Sequence, residues 1–168
     1  YFLLVDKKKY ILTIYEKRVK EEDLPFFSEL MGSLNKSGFR CPVPILNKKN
    51  EAISKFENKK LMIVSFIEGK AKDILSPENW KSIGAEAAKM HEITKNFKIK
   101  RRNDLSINSW RSIFNSVKDK CNHIHKDLPK LIESNLIDVE KNWPEDLPKG
   151  IIHADLFSDN IFFKKNKF

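Results

Sequence analysis

The sequence predicts an α+β protein in which a small β-rich N-terminal lobe precedes a mostly helical C-terminal lobe. Three observations support this fold class. Two apolar segments flank a polar turn within the first 15 residues, an apolar run interrupted only by Ser65 covers residues 61–67, and helical spacing of apolar residues dominates from Ser76 to Val139. We place the boundary between the lobes at Gly69, so that the N-terminal lobe spans residues 1–69 and the C-terminal lobe residues 70–168.

The N-terminal lobe is expected to begin with a β-hairpin and a helix. The hairpin strands are residues 1–5 and 10–15, on either side of a polar, lysine-rich turn. Asp23 is predicted as the N-cap of a helix that has Pro25 in its first turn and ends at Gly38. Both ends of this helix are therefore marked by residue types that favour helix termini.

The middle of the chain predicts an extended connection followed by a buried strand. Cys41–Pro44 contains two prolines, and a residue before proline disfavours the helical conformation. Residues 61–67 form the strand, which ends at the turn Glu68-Gly69. Three helices are expected to follow, with apolar residues marking them from Ser76 onward, over 110–124 and over 128–139.

Composition and charge exclude several classes of protein. Of 168 residues, 40% are hydrophobic, which suffices for the core of an ordinary domain. The net charge of +9 is spread over short basic clusters, so we expect no nucleic-acid partner. No apolar run approaches the roughly 20 residues that cross a bilayer. Since Cys41 and Cys121 match no metal-binding or redox spacing, we expect a soluble cytoplasmic protein with free thiols and no membrane partner.

A polar loop, His153–Asn160, carries the strongest chemical signal. It lies between two short apolar segments, 150–152 and 161–163, which are predicted strands. Asn160 follows Asp155 by five positions, which is the spacing of kinase catalytic loops. Phosphoryl transfer needs a carboxylate that orients the acceptor hydroxyl and takes its proton, and a hard oxygen ligand for magnesium.

Asp155 suits the role of base and Asn160 that of metal ligand, while His153 is expected to hold the loop by hydrogen bonding. The alternative is a surface turn, because Asp and Asn are ordinary turn residues. The position of the loop, late in the chain and behind a β-rich lobe and several helices, favours the kinase interpretation.

Further segments make this likeness specific. They are Tyr10–Val19, Asp23–Phe27, Cys41–Pro44, Arg102–Ser106, Trp110-Arg111, Trp143-Pro144, Asp146–Pro148 and His153–Phe157. These segments resemble homoserine kinases of the aminoglycoside-phosphotransferase-like family, and the likeness covers nearly the whole chain. The resemblance implies a two-lobed, protein-kinase-like fold. It also implies that ATP and Mg²⁺ are the cofactors and that the small-molecule substrate is L-homoserine, whose hydroxyl receives the γ-phosphoryl group in a step toward threonine.

The resemblance also assigns the nucleotide-binding residues. Val64 corresponds to the gatekeeper, and the backbone from Ser65 to Ile67 corresponds to the hinge that pairs with adenine. Glu29 falls where a helix glutamate steadies a nucleotide-binding lysine, although by spacing alone it is a solvated helix residue. A nucleotide-covering loop is implied before Tyr1 and a second magnesium-binding Asp after Phe168, so the chain is expected to lack both ends.

The nucleotide-binding lysine is a departure from the family pattern. Thr13 occupies the position where many relatives carry this lysine, so Lys17 or Arg18 becomes the candidate, with an ordinary surface charge as the alternative. Thr13 also leaves open a catalytically silent nucleotide-binding protein on the same fold.

Two arginines are the predicted contacts of the substrate carboxylate, which a guanidinium can bind in a bidentate way. Arg111 is the first candidate, and Arg102 competes for the role. His91 is expected to be a packed core histidine rather than a ligand. Because choline, methylthioribose and aminoglycoside kinases share the His153–Asn160 type of loop, a related kinase with one of those acceptors is the nearest alternative function.

Overall fold

The structure is a computed structural model, and it describes residues 1–16 and 19–164. The strands are β1 Phe2–Val5, β2 Lys8–Tyr15, β3 Ile53–Phe56 and β4 Lys59–Ser65. The helices are α1 Leu24–Lys36, α2 Pro77–Thr94, α3 Ile107–Cys121 and α4 Leu128–Asn142, and short 3₁₀ turns occupy Glu21–Asp23 and Ser158–Asn160. The chain forms two compact units, one made of the described residues of 1–100 and 150–168, the other of Arg101–Lys149.

The four strands of the first unit form one antiparallel sheet in the order β1-β2-β4-β3. The predicted hairpin is confirmed as β1 and β2. Its turn residues, Asp6 and Lys7, have φ of 48° and 64°, which is the left-handed conformation that tight two-residue hairpin turns require. The sheet therefore begins with a locally specified hairpin.

β3 is a strand that the sequence analysis did not predict. It pairs with β4 through a turn whose first residue, Glu57, has φ of 51°. Only Ile53 and Phe56 of this strand are apolar, so it lacks the apolar pattern from which strands are inferred. Met62 of β4 lies between Thr13 of β2 and Ile53 of β3, and its side chain is 0% exposed.

α1 ends as the sequence predicts. Leu24 and Leu34 are its buried apolar residues, and Pro25 lies in the first turn, where the missing amide costs no hydrogen bond. Gly38 has φ of 74°, and the Phe39 amide donates to the Leu34 carbonyl at 2.9 Å. The helix thus terminates through a left-handed glycine, which any other side chain would strain.

The predicted extended connection is also confirmed, because it runs along one edge of β4. The Ser65 amide donates to the Val43 carbonyl at 2.8 Å, and the Ile45 amide donates to the Ile63 carbonyl at 2.8 Å. The Ser65 hydroxyl accepts a hydrogen bond from the Val43 amide at 2.9 Å. Together with β2 and β3, this connection encloses β4 on both edges.

α2 starts with a capping box. The Asn79 amide donates to the Ser76 hydroxyl and the Ser76 amide donates to the Asn79 side chain, each at 3.3 Å. Pro77 occupies the first turn, as the sequence predicts. Among the helices of the described residues, none is both long and apolar enough to cross a membrane.

The buried face of α2 is narrow. Ile83 and Met90 are buried, whereas Trp80 is 51% exposed. His91 is exposed as well, so the expectation of a packed core histidine is wrong. The buried stripe consists of Ile83, Met90 and Thr94. His91 follows Met90 directly, and the helical rotation of about 100° per residue turns its side chain away from this stripe toward solvent.

Ile83 anchors the core beneath the His153–Asn160 loop. It packs with Ile161, which is 0% exposed, and Phe163, which is 5% exposed. Ile161 and Phe163 thus fix the chain directly after the loop. The predicted strand over 150–152 is not found: Ile152 is 60% exposed, and within the described residues this segment has no sheet partner. An apolar run without a neighbouring strand remains irregular.

The second unit is a pair of packed helices, α3 and α4. Phe114 and Cys121 of α3 are buried, and the rings of Trp110 and Trp143 meet edge to face with centroids 5.3 Å apart. The Trp110 indole donates to the Leu105 carbonyl at 2.8 Å. Both predicted helices are confirmed, while the division of the chain into lobes at Gly69 stays a prediction.

Candidate active site

The predicted base, Asp155, and the predicted metal ligand, Asn160, lie in direct contact. The Asn160 amide nitrogen Nδ2 donates to Asp155 Oδ2 at 2.8 Å and to the Asp155 backbone carbonyl at 3.1 Å. The 3₁₀ turn Ser158–Asn160 makes this contact possible, because the Asn160 backbone amide donates to Phe157 at 2.9 Å and turns the chain back. The five-residue spacing therefore becomes a fixed pair of side chains.

Backbone geometry next to Asp155 is strained. Ala154 has φ of 63°, a left-handed conformation that costs a non-glycine residue about 1–2 kcal/mol. Such strain persists where the surrounding structure enforces it, and it is concentrated at functional sites. The strain therefore supports a functional role for the carboxylate that follows.

The exposed Asp155–Asn160 pair is next to buried apolar residues. Both Asp155 and Asn160 are exposed, while the next residue, Ile161, is completely buried. Leu156 packs against the same core as Ile161. This arrangement leaves the polar groups open to a ligand and holds their backbone in place.

His153 is exposed, and no described residue forms a hydrogen bond with its imidazole. The structure thus contains no contact through which it holds the loop. Its role stays a prediction.

The predicted hinge lies at the end of β4. Val64 pairs with Ile11 of β2 and forms a bridge with Pro44. The Ser65 amide donates to the Val43 carbonyl, and the Phe66 amide donates to the Lys9 carbonyl at 3.3 Å. For the Ile67 backbone, in contrast, the described part of the chain provides no hydrogen-bond partner.

The remaining nucleotide-site predictions lie elsewhere on the first unit. Glu29 is exposed on α1 and makes no ion pair with any described residue. Thr13 is exposed on β2, opposite Met62. Lys17 and its neighbour Arg18 lie outside the described residues. The predicted lysine–glutamate contact therefore lies outside the described residues.

Glu68, directly after the hinge, was not predicted as a site residue. Its two carboxylate oxygens accept from Lys9 at 3.2 Å and from Lys164 at 3.1 Å. The Lys164 ammonium, and then the Lys9 ammonium, lower the pKa of Glu68. These partners are 59 and 96 positions away in sequence, so no local pattern could have revealed the contact.

A cavity of about 660 Å³ opens beside Glu68. Phe66 and Phe163 form part of its wall, with the Lys9 ammonium 5.5 Å from the Phe66 ring and the Lys72 ammonium 4.7 Å from the Phe163 ring. Asp155 and Asn160 are not in its lining. We therefore treat this cavity as separate from the candidate catalytic pair.

In the second unit, Arg111 is engaged by two carboxylates of α4. Its Nε and Nη2 donate to Glu140 at 2.9 and 2.6 Å, and its Nη1 donates to Glu133 at 2.6 Å. The bidentate contact predicted for a substrate is thus made by a protein side chain. The prediction that Arg111 binds the substrate carboxylate is untested, but its guanidinium already has partners that hold α3 to α4.

Sequence spacing could have revealed this network. Arg111 and Lys118 are seven positions apart on α3, as are Glu133 and Glu140 on α4, and such pairs lie on one helix face. Lys118 donates to Glu133 at 3.2 Å. Arg102, by comparison, is highly exposed, and its Nε pairs with Asp104 at 3.2 Å.

We expect the Arg111 network to make stability depend on pH. Hydrogen bonds from Arg111 lower the pKa values of both Glu140 and Glu133, and Lys118 adds to the effect at Glu133. A carboxylate with a lowered folded-state pKa stabilises above its ordinary value of 4.5 and loses that contribution as the pH falls through the folded-state pKa. The Arg111→Ala variant should therefore unfold at a lower temperature than the unmodified protein at pH 7, with a difference that shrinks below pH 4.5.

The control for this prediction is Lys120→Ala, which removes an exposed cation of α3 that has no ion pair among the described residues. Thermal unfolding is followed by circular dichroism at both pH values. A loss in Arg111→Ala that is equal at both pH values would contradict the role of the two carboxylates.

The comparisons with known proteins place the chain in a family. Residues 1–168 match the phosphotransferase enzyme family, and the chain belongs to it. It is 38% identical over 164 residues to a homoserine kinase of Beijerinckia indica, a match that covers 98% of this chain and 51% of the relative. It is 40% identical over 167 residues to a homoserine kinase of Paramagnetospirillum magneticum, covering 99% of this chain and 51% of the relative. The chain thus spans about half the length of the curated relatives it matches.

Solved structures confirm the fold class. The chain superposes on amicoumacin kinase, determined in complex with AMP-PNP and Ca²⁺, with a TM-score of 0.74 and 15% identity, covering 99% of this chain and 52% of that one. Spectinomycin phosphotransferase in complex with ADP and spectinomycin gives a TM-score of 0.55 at 14% identity, covering 95% of this chain and 54% of that one. The predicted α+β, protein-kinase-like fold is therefore confirmed.

Proposed function

We propose that the chain is part of an ATP- and magnesium-dependent kinase that phosphorylates the side-chain hydroxyl of L-homoserine. The observation that carries the proposal is the Asp155–Asn160 pair in an exposed loop, in which the Asn160 amide nitrogen donates to the Asp155 carboxylate at 2.8 Å and leaves the amide oxygen of Asn160 as a hard metal ligand. The likeness to homoserine kinases, at 38% identity over 98% of the chain, supports the choice of acceptor. Amicoumacin or spectinomycin as the acceptor has weaker support, because identity to the kinases named for them is 15% or less.

Asp155 acts as the base in this proposal. Asn160 holds one carboxylate oxygen, Oδ2, while no described residue bonds Oδ1. The fixed carboxylate would accept a hydrogen bond from the acceptor hydroxyl and take its proton as the new bond to phosphorus forms. Asn160 thus restricts the rotation of Asp155 in addition to its metal role.

The residues present fit a magnesium ion that shares its ligands with the nucleotide. Asn160 uses its Nδ2 for Asp155, so its Oδ1 oxygen is available to a hard cation. No group of three or more His, Cys, Asp or Glu side chains in the described residues could form an all-protein metal cage. Mg²⁺ seldom needs such a cage, because it keeps several waters and binds substrate phosphates with few protein ligands. When bound, it supplies neutralisation of the phosphate charge.

We assign the adenine to the hinge, with Ile67 as the backbone contact. The Ser65 and Phe66 amides have intramolecular partners, whereas the Ile67 backbone has none among the described residues. Val64 keeps the gatekeeper role. For the phosphates, Lys17 with Glu29 remains the proposed pair, and the division into lobes at Gly69 is part of the same proposal.

The substrate carboxylate is assigned to Arg102 rather than Arg111. All three guanidinium nitrogens of Arg111 donate to Glu133 or Glu140, whereas Arg102 uses only its Nε, for Asp104. The terminal nitrogens of Arg102 have no acceptor among the described residues. They could bind a carboxylate in the bidentate geometry that guanidinium groups favour.

We therefore expect Arg102→Ala to raise the KM for L-homoserine by about 10-fold or more, since charge-assisted hydrogen bonds contribute about 1.5–3 kcal/mol. Use of homoserinol, which has no carboxylate, should change little. Arg101→Ala is the matched control, because it removes the adjacent cation. An equal loss with both acceptors would contradict the assignment of Arg102.

The proposal as a whole is tested by acceptor choice in the full-length protein. ADP release is measured with L-homoserine, choline, methylthioribose and an aminoglycoside as acceptors. L-homoserine should give the highest kcat/KM, at least about 10-fold above the others, because none of the other acceptors carries a carboxylate for the arginine to bind. A higher kcat/KM for another acceptor would contradict the choice of L-homoserine as the substrate. ATP binding without acceptor-dependent ADP release would indicate a catalytically silent nucleotide-binding protein.

A further inference from the structure

The chain directly after the hinge is joined to the chain directly after the catalytic pair. We call Glu68–Lys70 the hinge exit. The Lys70 amide donates to the Phe163 carbonyl at 3.0 Å, and the Phe163 amide donates to the Lys70 carbonyl at 2.9 Å. Glu68 adds its ion pair with Lys164 at 3.1 Å. These contacts fix the register between the two segments.

Gly69 lies at the closest approach between them. A Cβ atom at position 69 would be 3.0 Å from the Phe162 Cβ, 3.4 Å from the Phe163 carbonyl oxygen and 3.5 Å from the Phe162 carbonyl carbon. The two backbone atoms lie at ordinary van der Waals distance, so only the Phe162 Cβ is too close. Because a Cβ is fixed to its own backbone and cannot rotate away, a side chain at position 69 would displace Phe162 by a few tenths of an ångström.

A displacement at Phe162 reaches Asn160 through one residue. Ile161 is 0% exposed and packs against Ile83 together with Phe163, so this stretch has little room to absorb a shift. Asn160 precedes it and contacts Asp155 at 2.8 Å. A displacement of Phe162 caused at the hinge exit is therefore expected to change the position of the Asn160 side chain.

We propose that the hinge exit is a positioning element for Asn160, and that Gly69 is the positioning residue on which it depends. The inference rests on the proposed function, in which Asn160 is a ligand of the magnesium that accompanies the nucleotide. The absence of a side chain at position 69 lets the adenine-binding hinge and the metal-binding loop share one fixed register.

The test is Gly69→Ala in the full-length protein, with Gly84→Ala as the matched control. Gly84 lies in α2 with no atom within 4 Å of an added Cβ, so its replacement inserts the same methyl group without a contact. Calorimetry measures the binding of Mn²⁺–AMP-PNP without an acceptor, and steady-state kinetics gives the Mg²⁺ concentration at half-maximal rate. We expect Gly69→Ala to weaken Mn²⁺–AMP-PNP binding and raise that Mg²⁺ concentration by about 3- to 10-fold, because small misplacements at a reacting centre are costly. Gly84→Ala should leave both unchanged.

Glu68→Gln provides a second variant without added bulk. It removes two exposed ion pairs and should weaken Mn²⁺–AMP-PNP binding by about 2-fold, in keeping with the small energies of such pairs. If the role of Gly69 were merely structural, Gly69→Ala would lower the unfolding temperature and the active fraction. It would leave the Mn²⁺–AMP-PNP affinity and the Mg²⁺ concentration at half-maximal rate unchanged in the folded protein. That result, or unchanged binding in both variants, would overturn the proposal.

Failure of the proposed function gives a different pattern. If the unmodified protein does not bind Mn²⁺–AMP-PNP, or if Asn160→Ala binds it normally, both the proposed function and this inference are overturned. If Asn160→Ala weakens binding and Gly69→Ala does not, only the positioning role is overturned.

Discussion

Replacing Asp155 by asparagine is expected to lower kcat by about 100- to 10,000-fold, the range that a general base contributes. The amide keeps the size of the side chain and can still contact Asn160, but it cannot accept the hydroxyl proton. Because Asp155 does not touch the hinge contacts at Ser65 or Phe66, the affinity for ATP should remain within a few-fold of normal. Steady-state ADP release and nucleotide calorimetry measure the two quantities.

The matched control is Asp159→Asn. Asp159 is an exposed aspartate of the same loop, and its carboxylate forms no hydrogen bond or ion pair with the described residues. The Asp159→Asn variant should retain nearly full turnover. Unchanged turnover in Asp155→Asn, or an equal loss in Asp159→Asn, would remove Asp155 from the mechanism.

Replacing Asn160 by alanine should give the second largest effect. The variant loses a proposed magnesium ligand, and even partners one step removed from a metal typically contribute 10- to 100-fold to its affinity. The Mg²⁺ concentration at half-maximal rate should therefore rise by about 10- to 100-fold. Turnover at saturating Mg²⁺ should fall as well, because Asp155 loses the hydrogen bond of 2.8 Å that orients it.

Kinetics at a series of Mg²⁺ concentrations measures this effect. Asn115→Ala, an exposed asparagine of α3, is the control and should behave as the unmodified protein. If Asn160→Ala changed the affinity for homoserine alone, the metal role would be wrong.

Elements with local signals were predicted well from the sequence. The turn of the first hairpin, the glycine that ends α1 and the Ser76–Pro77 start of α2 all depend on residues close together in the chain. The Asp155–Asn160 contact was not predicted, but it is also local, because a short turn suffices to bring the two side chains together. Local physical chemistry therefore accounts for these parts of the fold and of the candidate site.

Features that depend on distant partners were missed, and the environment of one residue, His91, was wrongly predicted. β3 has little apolar pattern, and its pairing with β4 gives it its structure. His91 is exposed because it lies beside the buried stripe of α2. The width of that stripe depends on the elements that pack on the helix, and the periodicity of the sequence does not specify it. Arg111 was interpreted from the chemistry of a substrate, but Glu140, 29 positions away, makes the same bidentate contact, and Glu133, 22 positions away, accepts a further hydrogen bond.

The contacts of Gly69 belong to the same group. The sequence marks it only as a turn residue after a strand. Its proximity to Phe162 arises because the chain returns to the hinge exit after 93 residues, and no propensity or spacing rule predicts such a meeting. Positioning elements of this kind become visible only once the fold is known.

The most direct test of the account is the chemical identity of the product. The full-length protein is incubated with ATP, Mg²⁺ and L-homoserine, and the phosphorus signals are followed by proton-coupled ³¹P nuclear magnetic resonance. The account predicts a phosphomonoester signal split by the adjacent CH₂ protons of homoserine, which grows in step with ADP and is greatly reduced in Asp155→Asn. Formation of inorganic phosphate alone, or a phosphomonoester that forms equally fast in Asp155→Asn, would contradict it.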